Sequence, residues 1–268
     1  MQSETTIALG SEQPVALVTG GAVRVGRAIT EALAAAGYAV LVHHNASVAA
    51  AAALAGELRS MGRVAVCLRA DLTRPGAAGR LLQEALAVAG RLDLLVNNAA
   101  LLVADDGELI DLARMKALNY DAASALIDAA VPHLLGTRGS IVNVADVAGI
   151  RAYGGHKAYS RTKTALLALT FRKALELAPG GVRCNAVCPG TVLPAEHLDA
   201  RQRELIVEGV PIGRFGDPAD VAQAVLFLAA APYVTGQALA VDGGQLLTML
   251  EDEAEADDGG PARGGWLN

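Results

Sequence analysis

Short apolar runs alternate along this chain with longer segments whose apolar residues recur at helical spacing. A continuous apolar run is typical of a parallel strand, because such a strand is buried on both faces of its sheet. Seven such runs predict strands at residues 14–19, 38–43, 63–69, 92–96, 140–145, 181–187 and 237–241. Strands separated by helices of about 10 to 20 residues predict an α/β fold, in which a doubly wound, seven-stranded parallel sheet carries helices on both faces.

The predicted elements fill residues 14–250 without an internal boundary, and a chain of 268 residues suits a single large α/β domain. Residues 1–13 are expected to form a flexible leader. Residues 251–268 are first acidic and then rich in Gly, which predicts a disordered tail.

Composition argues against several classes of partner and site. The net charge of −6 gives no electrostatic support for a nucleic-acid partner. No apolar run reaches the ~18 residues of a membrane span, and the N-terminus does not resemble a secretory signal, so a cytoplasmic protein is expected. Cys67, Cys184 and Cys188 are too few for a disulfide framework and lack the partners of a zinc site. We therefore expect buried cysteines and no metal.

A glycine-rich segment, TGGAVRVG, lies between the first predicted strand and the first predicted helix, with Gly20 and Gly26 as its outer glycines. This is where a doubly wound fold binds a pyrophosphate, because glycines let the backbone approach it and the helix N-terminus attracts the anion. A plain glycine turn into a helix explains the same pattern equally well.

The residues near this loop bear on the choice of dinucleotide. Arg24 lies inside the loop, and the second strand ends at His43, His44 and Asn45 rather than at an acidic residue. An acidic residue there would bind a ribose 2′-hydroxyl, whereas basic surroundings accommodate a 2′-phosphate. The charges therefore favour NADP(H) over NAD(H), unless these side chains are simply solvated at the surface.

Two further strand ends carry candidates for the same site. Asp71 and Leu72 follow the third strand, where a polar side chain could reach the edge of an adenine. The fourth strand is followed by small residues that leave room for a ribose beside the backbone, among them Asn98, Ala99 and Ala100.

Tyr159 and Lys163 are four residues apart in a segment predicted to be helical from residue 158 to 177, so they share one face. An ammonium beside a phenol favours the phenolate and lowers the phenol pKa from about 10, as acid–base catalysis near neutrality requires. The same spacing also arises by chance on ordinary amphipathic helices.

Asn119 falls in the middle of a helix predicted over residues 111–135. Asn is disfavoured inside helices because its side chain competes for backbone hydrogen bonds. A tertiary role is therefore favoured, with an exposed helical Asn as the alternative.

Taken together, these motifs resemble the short-chain dehydrogenases/reductases over about residues 14–248, in the order found in that family. The resemblance is carried by TGGAVRVG, Asp71-Leu72, Asn97-Asn98-Ala99-Ala100, Asn119, Asp146, Tyr159-x-x-x-Lys163 and Pro189-Gly190-Thr191. It implies a Rossmann-type fold, an NADP(H)-dependent oxidoreductase acting on a small molecule, and a homo-oligomer, commonly a tetramer.

The resemblance also implies a role for each matching residue. Tyr159 would donate the proton, Lys163 would bind the nicotinamide ribose and lower the pKa of Tyr159, and Asn119 would hold a water of a proton relay. The implied cofactor contacts are Gly20, Arg24, Val25 and Gly26 for the phosphates, Asn98 and Ala99 for the ribose, Asp71 and Leu72 for the adenine, and Pro189, Gly190 and Thr191 for the carboxamide.

Asp146 departs from the common pattern, because most family members have Ser at this position. A Ser hydroxyl orients a ketone oxygen, whereas a carboxylic acid can deliver a proton to a ring nitrogen during reduction of a C=N bond. Asp here resembles the pteridine reductase subgroup, as do Arg24 in the glycine loop and the phrase PGTVLP after the sixth strand.

The residues expected to contact the substrate fit the pteridine reductase subgroup less well. Pteridine reductases typically carry an aromatic residue where this chain has Leu101 and Leu102, and an aliphatic cover loses the stacking geometry. Tyr153 could supply a ring, or it is a packed loop residue. A loop over about residues 192–212, including Leu193, is expected to cover the substrate.

Three functions are compatible with these residues. The first is NADPH-dependent reduction of a pterin or similar N-heterocycle, with Asp146 and Tyr159 supplying the proton. The second is reduction of a 3-oxoacyl thioester or another ketone on the same fold. The third is a non-catalytic nucleotide-binding protein, which the intact Asn119, Tyr159 and Lys163 argue against.

Overall fold

The computed structural model describes residues 13–152, 155–194 and 198–248. Most of the expected leader, the whole of the expected tail and Tyr153 lie outside these described residues. The strands are β1 (Val15–Val18), β2 (Ala39–His44), β3 (Ala65–Arg69), β4 (Leu94–Asn97), β5 (Ser140–Val144), β6 (Arg183–Pro189) and β7 (Ala238–Val241). The α-helices are α1 (Arg24–Ala35), α2 (Val48–Ser60), α3 (Ala77–Ala89), α4 (Leu109–Lys116), α5 (Ala123–Thr137), α6 (Lys157–Leu177), α7 (Ala200–Glu208) and α8 (Pro218–Ala230).

All seven strands form one parallel sheet in the order β3-β2-β1-β4-β5-β6-β7. The predicted doubly wound, seven-stranded fold is therefore confirmed. The strand order reverses between β1 and β4, where Val18 pairs with both Val42 and Val96. Ligands of such sheets bind beyond the carboxyl ends of the strands at this switch point.

Two apolar layers cover the sheet because successive side chains of a strand point to opposite faces. Val15 and Leu17 face a core built with α3, α5 and α6. Ala16 and Val18 face a second core built with α1, α2 and α8. This double burial explains why the strands read as continuous apolar runs.

The helix predicted over residues 111–135 is interrupted in the structure. Helix α4 ends at Lys116, a π-helical stretch follows over Ala117–Ala122, and α5 continues from Ala123. Asn119 lies in the π-helical stretch and is buried. Such π segments occur often at functional sites.

Crossing a bilayer takes a helix of about 20 mostly apolar residues. Within residues 13–152, 155–194 and 198–248, no helix is both long enough and apolar enough to do so.

Candidate active site

Side-chain hydrogen bonds tie the carboxyl ends of β1 and β4 together. The Thr19 hydroxyl accepts from the backbone N–H groups of Asn98 (2.9 Å) and Ala99 (3.0 Å). The Asn98 amide donates to the carbonyls of Thr19 (2.9 Å) and Gly20 (3.1 Å). Asn98 therefore fixes the start of the glycine loop, and Thr19 is a support that sequence reasoning missed.

The glycine loop is shaped by a close approach that only glycine permits. Gly20 has φ of 61°, in the left-handed region. A Cβ added to Gly26 would overlap the carbonyl oxygen of Gly20 and come within 2.6 Å of the Asn98 amide nitrogen. The Thr30 hydroxyl lies 2.9 Å from the carbonyl oxygens of Gly21 and Gly26 and holds the loop against α1.

A cavity of about 300 Å³ opens beside this loop, at the carboxyl ends of the first four strands. It brings together most of the residues expected to bind the cofactor, namely Gly20, Arg24, Val25, Gly26, His43, Asn45, Asp71, Leu72, Asn98, Ala99 and Ala100. His44 is buried in β2 and does not line this cavity.

His43 supports the glycine loop rather than charging it. Its Nδ1 accepts from the backbone N–H of Gly20 (3.1 Å), and Nε2, which then carries the hydrogen, donates to the Ala70 carbonyl (3.1 Å). Burial lowers the pKa of His43 to about 4, so the ring is neutral at pH 7. Of the basic side chains expected here, the exposed Arg24 is the one that brings a permanent charge to the loop.

We expect protonation of His43 to destabilise the fold in acid. Its pKa is about 4 in the folded chain and 6.5 as a free side chain, so the unfolded chain binds more protons between these pH values. The contribution of His43 to the free energy of unfolding should therefore be fully present above pH 6.5. It should fall by up to about 3 kcal/mol as the pH drops through 4. Urea unfolding at pH 7, 5.5 and 4 measures this loss.

The control for that series is a pair of variants. His43→Asn removes the titrating group, so its unfolding free energy should depend less on pH than that of the unmodified chain. His133→Asn replaces an exposed histidine and should leave the pH dependence of the unfolding free energy unchanged. A His43→Asn slope equal to the unmodified slope would show that His43 does not carry the effect.

Asp71 is engaged with its own turn. Its Oδ1 accepts from the hydroxyl of Thr73 (2.6 Å) and from the backbone N–H of Thr73 (3.1 Å), and Oδ2 pairs with Arg74 (3.1 Å). The bond from the Thr73 hydroxyl is the main reason that the pKa of Asp71 is lowered. Asp71 lines the cavity. Its expected contact with an adenine stays a prediction.

The expected catalytic pair meets a third residue at the carboxyl end of β5. The Tyr159 hydroxyl donates to Oδ2 of Asp146 at 2.8 Å. The other carboxylate oxygen of Asp146 accepts from the backbone N–H of Ala148 at 2.8 Å. This second bond fixes the carboxylate, so the phenol and the acid are held in direct contact.

Lys163 is fully enclosed beside this pair. Its Nζ donates to the Val144 carbonyl (3.0 Å) and lies 5.6 Å from the centre of the Tyr159 ring. Burial lowers the pKa of Lys163, while the charge of Asp146 acts in the opposite direction. A Cβ on Gly149 would come within 3.1 Å of the Lys163 Cβ, so this glycine, which sequence reasoning missed, lets α6 approach.

Asn119 clamps the segment that follows β4. Its Oδ1 accepts from the backbone N–H of Leu101 (2.8 Å), and its Nδ2 donates to the Leu101 carbonyl (2.9 Å) and to the Thr162 hydroxyl (3.2 Å). Both amide hydrogens are therefore used in joining this segment to α6. The water-holding role implied by resemblance stays a prediction.

An apolar cluster lies next to the Tyr159 ring. It contains Met115 and Ala148, and Leu101, Val103, Leu112 and Ala158 pack against it. Leu102 points outward instead and is 56% exposed. Of the two leucines expected to contact substrate, Leu101 is thus the one that packs near Tyr159.

The residues expected at the carboxamide are held by the C-terminal turn. Gly190, directly after Pro189, donates its N–H to the Val241 carbonyl (3.1 Å). The side-chain oxygen of Gln245 accepts from the Thr191 N–H (3.0 Å) and lies 3.2 Å from its hydroxyl. Gln245 is a further support that sequence reasoning missed.

The expected substrate loop is described only in part. Leu193 has φ of 64°, and Val192 forms an isolated parallel bridge with Gly216. Residues 195–197 lie outside the described residues, and α7 then supplies one helix, as expected. Contact of Leu193 with a substrate stays a prediction.

Residues 21–245 match the family model described as enoyl-(acyl carrier protein) reductase. The chain belongs to the short-chain dehydrogenase/reductase family. A short-chain oxidoreductase fold therefore accounts for nearly the whole described chain.

Relatives of this short-chain dehydrogenase/reductase include several named oxidoreductases. The uncharacterized oxidoreductase MT0954 of Mycobacterium tuberculosis is 37% identical over 90% of this chain and 95% of its own. A 3-oxoacyl-[acyl-carrier-protein] reductase of Synechocystis is 36% identical over 87% of this chain and 97% of its own. An L-rhamnose 1-dehydrogenase (NAD(P)(+)) of Azotobacter vinelandii is 34% identical over 87% of this chain and 96% of its own. None of these three names refers to a pterin, so the pteridine reductase subgroup is not supported by them.

Proposed function

We propose that this oxidoreductase reduces a ketone to an alcohol, with a 3-oxoacyl thioester as the substrate class. The observation that carries the proposal is the Tyr159 ring, whose centre lies 5.6 Å from Nζ of the buried Lys163 and which packs in an aliphatic cluster. A phenol held near an ammonium can protonate a carbonyl oxygen and leave as a stabilised phenolate. The 3-oxoacyl reductases among the relatives support the same class.

The glycine loop fits a nicotinamide dinucleotide on its own geometry. The close contact of Gly26 with Gly20 leaves bare backbone at the start of α1, and the first turn of that helix holds no acidic residue. Such a helix start favours a pyrophosphate. When bound, the dinucleotide supplies the hydride. The exposed Arg24 and the lack of an acidic residue after β2 support NADP(H) over NAD(H).

Within this proposal the chain itself handles the proton. Tyr159 delivers it to the carbonyl oxygen, and the ammonium of Lys163 stabilises the phenolate that remains. Asp146, which accepts from the phenol at 2.8 Å, is placed to take up a proton from solvent and return it to the phenolate. Leu101 and Val103 give the substrate an apolar wall that excludes water from this transfer.

Reduction of a pterin is the second candidate, and the contact between Asp146 and Tyr159 favours it. A carboxylic acid at this position can protonate a ring nitrogen, which a Ser hydroxyl does poorly. The aliphatic side chain of Leu101 beside Tyr159 offers no ring to stack on a pterin, which favours the ketone instead.

Replacing Asp146 with Ser separates these two candidates. If the protein is a ketone reductase, Ser can orient the carbonyl, and kcat/KM on an acetoacetyl thioester should change by less than about tenfold. Any pterin activity should fall by about 100-fold, because the carboxyl proton is lost. Steady-state assays of both substrates measure the two ratios. Equal losses on both substrates would show that the carboxylate does not discriminate between them.

We also propose the homo-tetramer that the family resemblance implies. Apolar side chains on the outer face of α6 support an interface there, since Phe171 is 42% and Leu175 81% exposed. Exposed apolar groups of this size on a helix face commonly mark contacts between subunits.

A further inference from the structure

Asp105, in the segment after β4, binds the start of α6, the helix that carries Tyr159. Its Oδ2 accepts from the backbone N–H of Lys157 and its Oδ1 from that of Ala158, both at 2.9 Å. The backbone N–H of Asp105 donates to the Gly155 carbonyl, also at 2.9 Å. Two hydrogen bonds therefore join the segment after β4 to the first turn of α6, and a third joins it to Gly155, just before that helix.

This carboxylate takes the place of a local helix cap. The first N–H groups of a helix have no partner within the helix, and His156, at the N-cap of α6, makes no side-chain capping bond. Asp105 supplies the acceptor from 52 residues away in the sequence. Its negative charge also suits the positive end of the helix dipole. Tyr159 follows Ala158 directly, so the capped turn is the one that carries the catalytic hydroxyl.

The opposite end of the same segment is also fixed. Asn119 binds both backbone groups of Leu101, and Val103 packs against the cluster that contains Tyr159. The bond from Ala158 and then that from Lys157 lower the pKa of Asp105, which keeps the carboxylate ionised at neutral pH.

We propose that Asp105 is a positioning residue for the reaction, because its carboxylate holds the first turn of α6 so that the Tyr159 hydroxyl stays aligned with Asp146 and Lys163. This inference rests on the proposed reductase function. It assigns to Asp105 no contact with substrate or dinucleotide, only the placement of the proton donor.

Three variants test this role by their kinetics. Asp105→Ala should lower kcat by about 10- to 100-fold, because small displacements of a catalytic group have effects of that size. The KM for the dinucleotide should change by less than about twofold, since the glycine loop is untouched. Asp105→Asn should recover part of the loss, because its single amide oxygen can accept from one of the two N–H groups. Asp106→Ala, at the next exposed residue, is the control and should behave as the unmodified enzyme.

Amide hydrogen exchange supplies a readout that needs no substrate. Exchange at Lys157 and Ala158 should be at least about tenfold faster in Asp105→Ala than in the Asp106→Ala control, because their bonds to the carboxylate are gone. Faster exchange together with a lower kcat in Asp105→Ala, each partly restored in Asp105→Asn, supports the proposal. Faster exchange with kcat within twofold of the unmodified value overturns it, as does unchanged exchange.

The kcat and KM values of the Asp105 variants are measured with the substrate that the unmodified enzyme reduces, either an acetoacetyl thioester or dihydrobiopterin. If the unmodified enzyme reduces dihydrobiopterin but not the thioester, the proposed ketone reduction is contradicted. The role of Asp105 is still tested, because its variants are then assayed with the pterin.

Discussion

Replacing Tyr159 with Phe is expected to lower kcat/KM by about 10³-fold, the largest effect of any single substitution considered for this enzyme. The change removes one oxygen atom and with it the proton that the carbonyl must receive. Lys163 and Asp146 keep their places, because Lys163 is also bonded to the Val144 carbonyl and Asp146 to the Ala148 N–H. We therefore expect the loss in kcat, with dinucleotide affinity nearly unchanged.

Steady-state rates and dinucleotide titration of the same preparation measure the two quantities. Tyr233→Phe is the matched control, because that side chain is fully exposed and its hydroxyl should be dispensable. A Tyr159→Phe enzyme that kept more than about one tenth of the unmodified kcat/KM would contradict a proton-donor role for Tyr159.

Replacing Gly26 with Ala should weaken dinucleotide binding by at least about 100-fold. The added methyl group would overlap the Gly20 carbonyl oxygen and crowd the Asn98 amide, neither of which can move alone. Asn98 is hydrogen-bonded to the backbone of Thr19 and Gly20, so relief of the overlap displaces the loop that is proposed to receive the phosphates. A displacement of this kind removes several backbone contacts to the anion together, each worth about 1 kcal/mol or more.

Quenching of protein fluorescence or calorimetric titration with NADPH measures the loss of affinity. Gly56→Ala is the control, because that glycine lies in α2 with open space around it, and Ala there should be neutral or slightly stabilising. The Gly26→Ala protein should keep its far-UV circular dichroism spectrum. Unchanged NADPH affinity in a folded Gly26→Ala protein would show that the dinucleotide does not occupy this loop.

The fold could be predicted because its signal repeats in every strand. Each parallel strand is buried on both faces, and each helix between strands shows one apolar stripe, so local patterns define the architecture. The interruption of the predicted helix at Ala117–Ala122 could not be predicted in the same way. A π-helical stretch changes the repeat by only one residue, and the apolar spacing on either side hides it.

The parts of the candidate site that sit on local motifs were also accessible from sequence. The glycine loop and the pair Tyr159 and Lys163 each lie within a few residues, and the structure brings them to the same edge of the sheet. Asp105 was missed because its two partners lie 52 and 53 residues further along the chain. Contacts between distant segments leave no periodic pattern in a single sequence.

His43 shows a second limit, because charge depends on burial. In the sequence, the two adjacent histidines at the end of β2 look like a basic site for a phosphate. In the structure the ring of His43 is enclosed between the Gly20 N–H and the Ala70 carbonyl, and its lowered pKa keeps it neutral. The argument for NADP(H) therefore depends on Arg24 and on the missing acidic residue.

Asp146, together with Arg24 and the phrase PGTVLP, carried the expectation of a pterin substrate. The 3-oxoacyl reductases among the relatives, together with the aliphatic cluster beside Tyr159, favour the ketone reading instead. The contact between Asp146 and Tyr159 is compatible with both, since a carboxyl group can protonate a ring nitrogen or resupply the phenol.

The measurement that tests this account most directly is NADPH oxidation by the purified full chain, followed by absorbance with an acetoacetyl thioester and, in parallel, with dihydrobiopterin. The account predicts turnover of the thioester with kcat/KM at least about tenfold above that for the pterin, and its loss in Tyr159→Phe. Turnover of dihydrobiopterin with none of the thioester would contradict it and would make Asp146 the acid that defines the substrate.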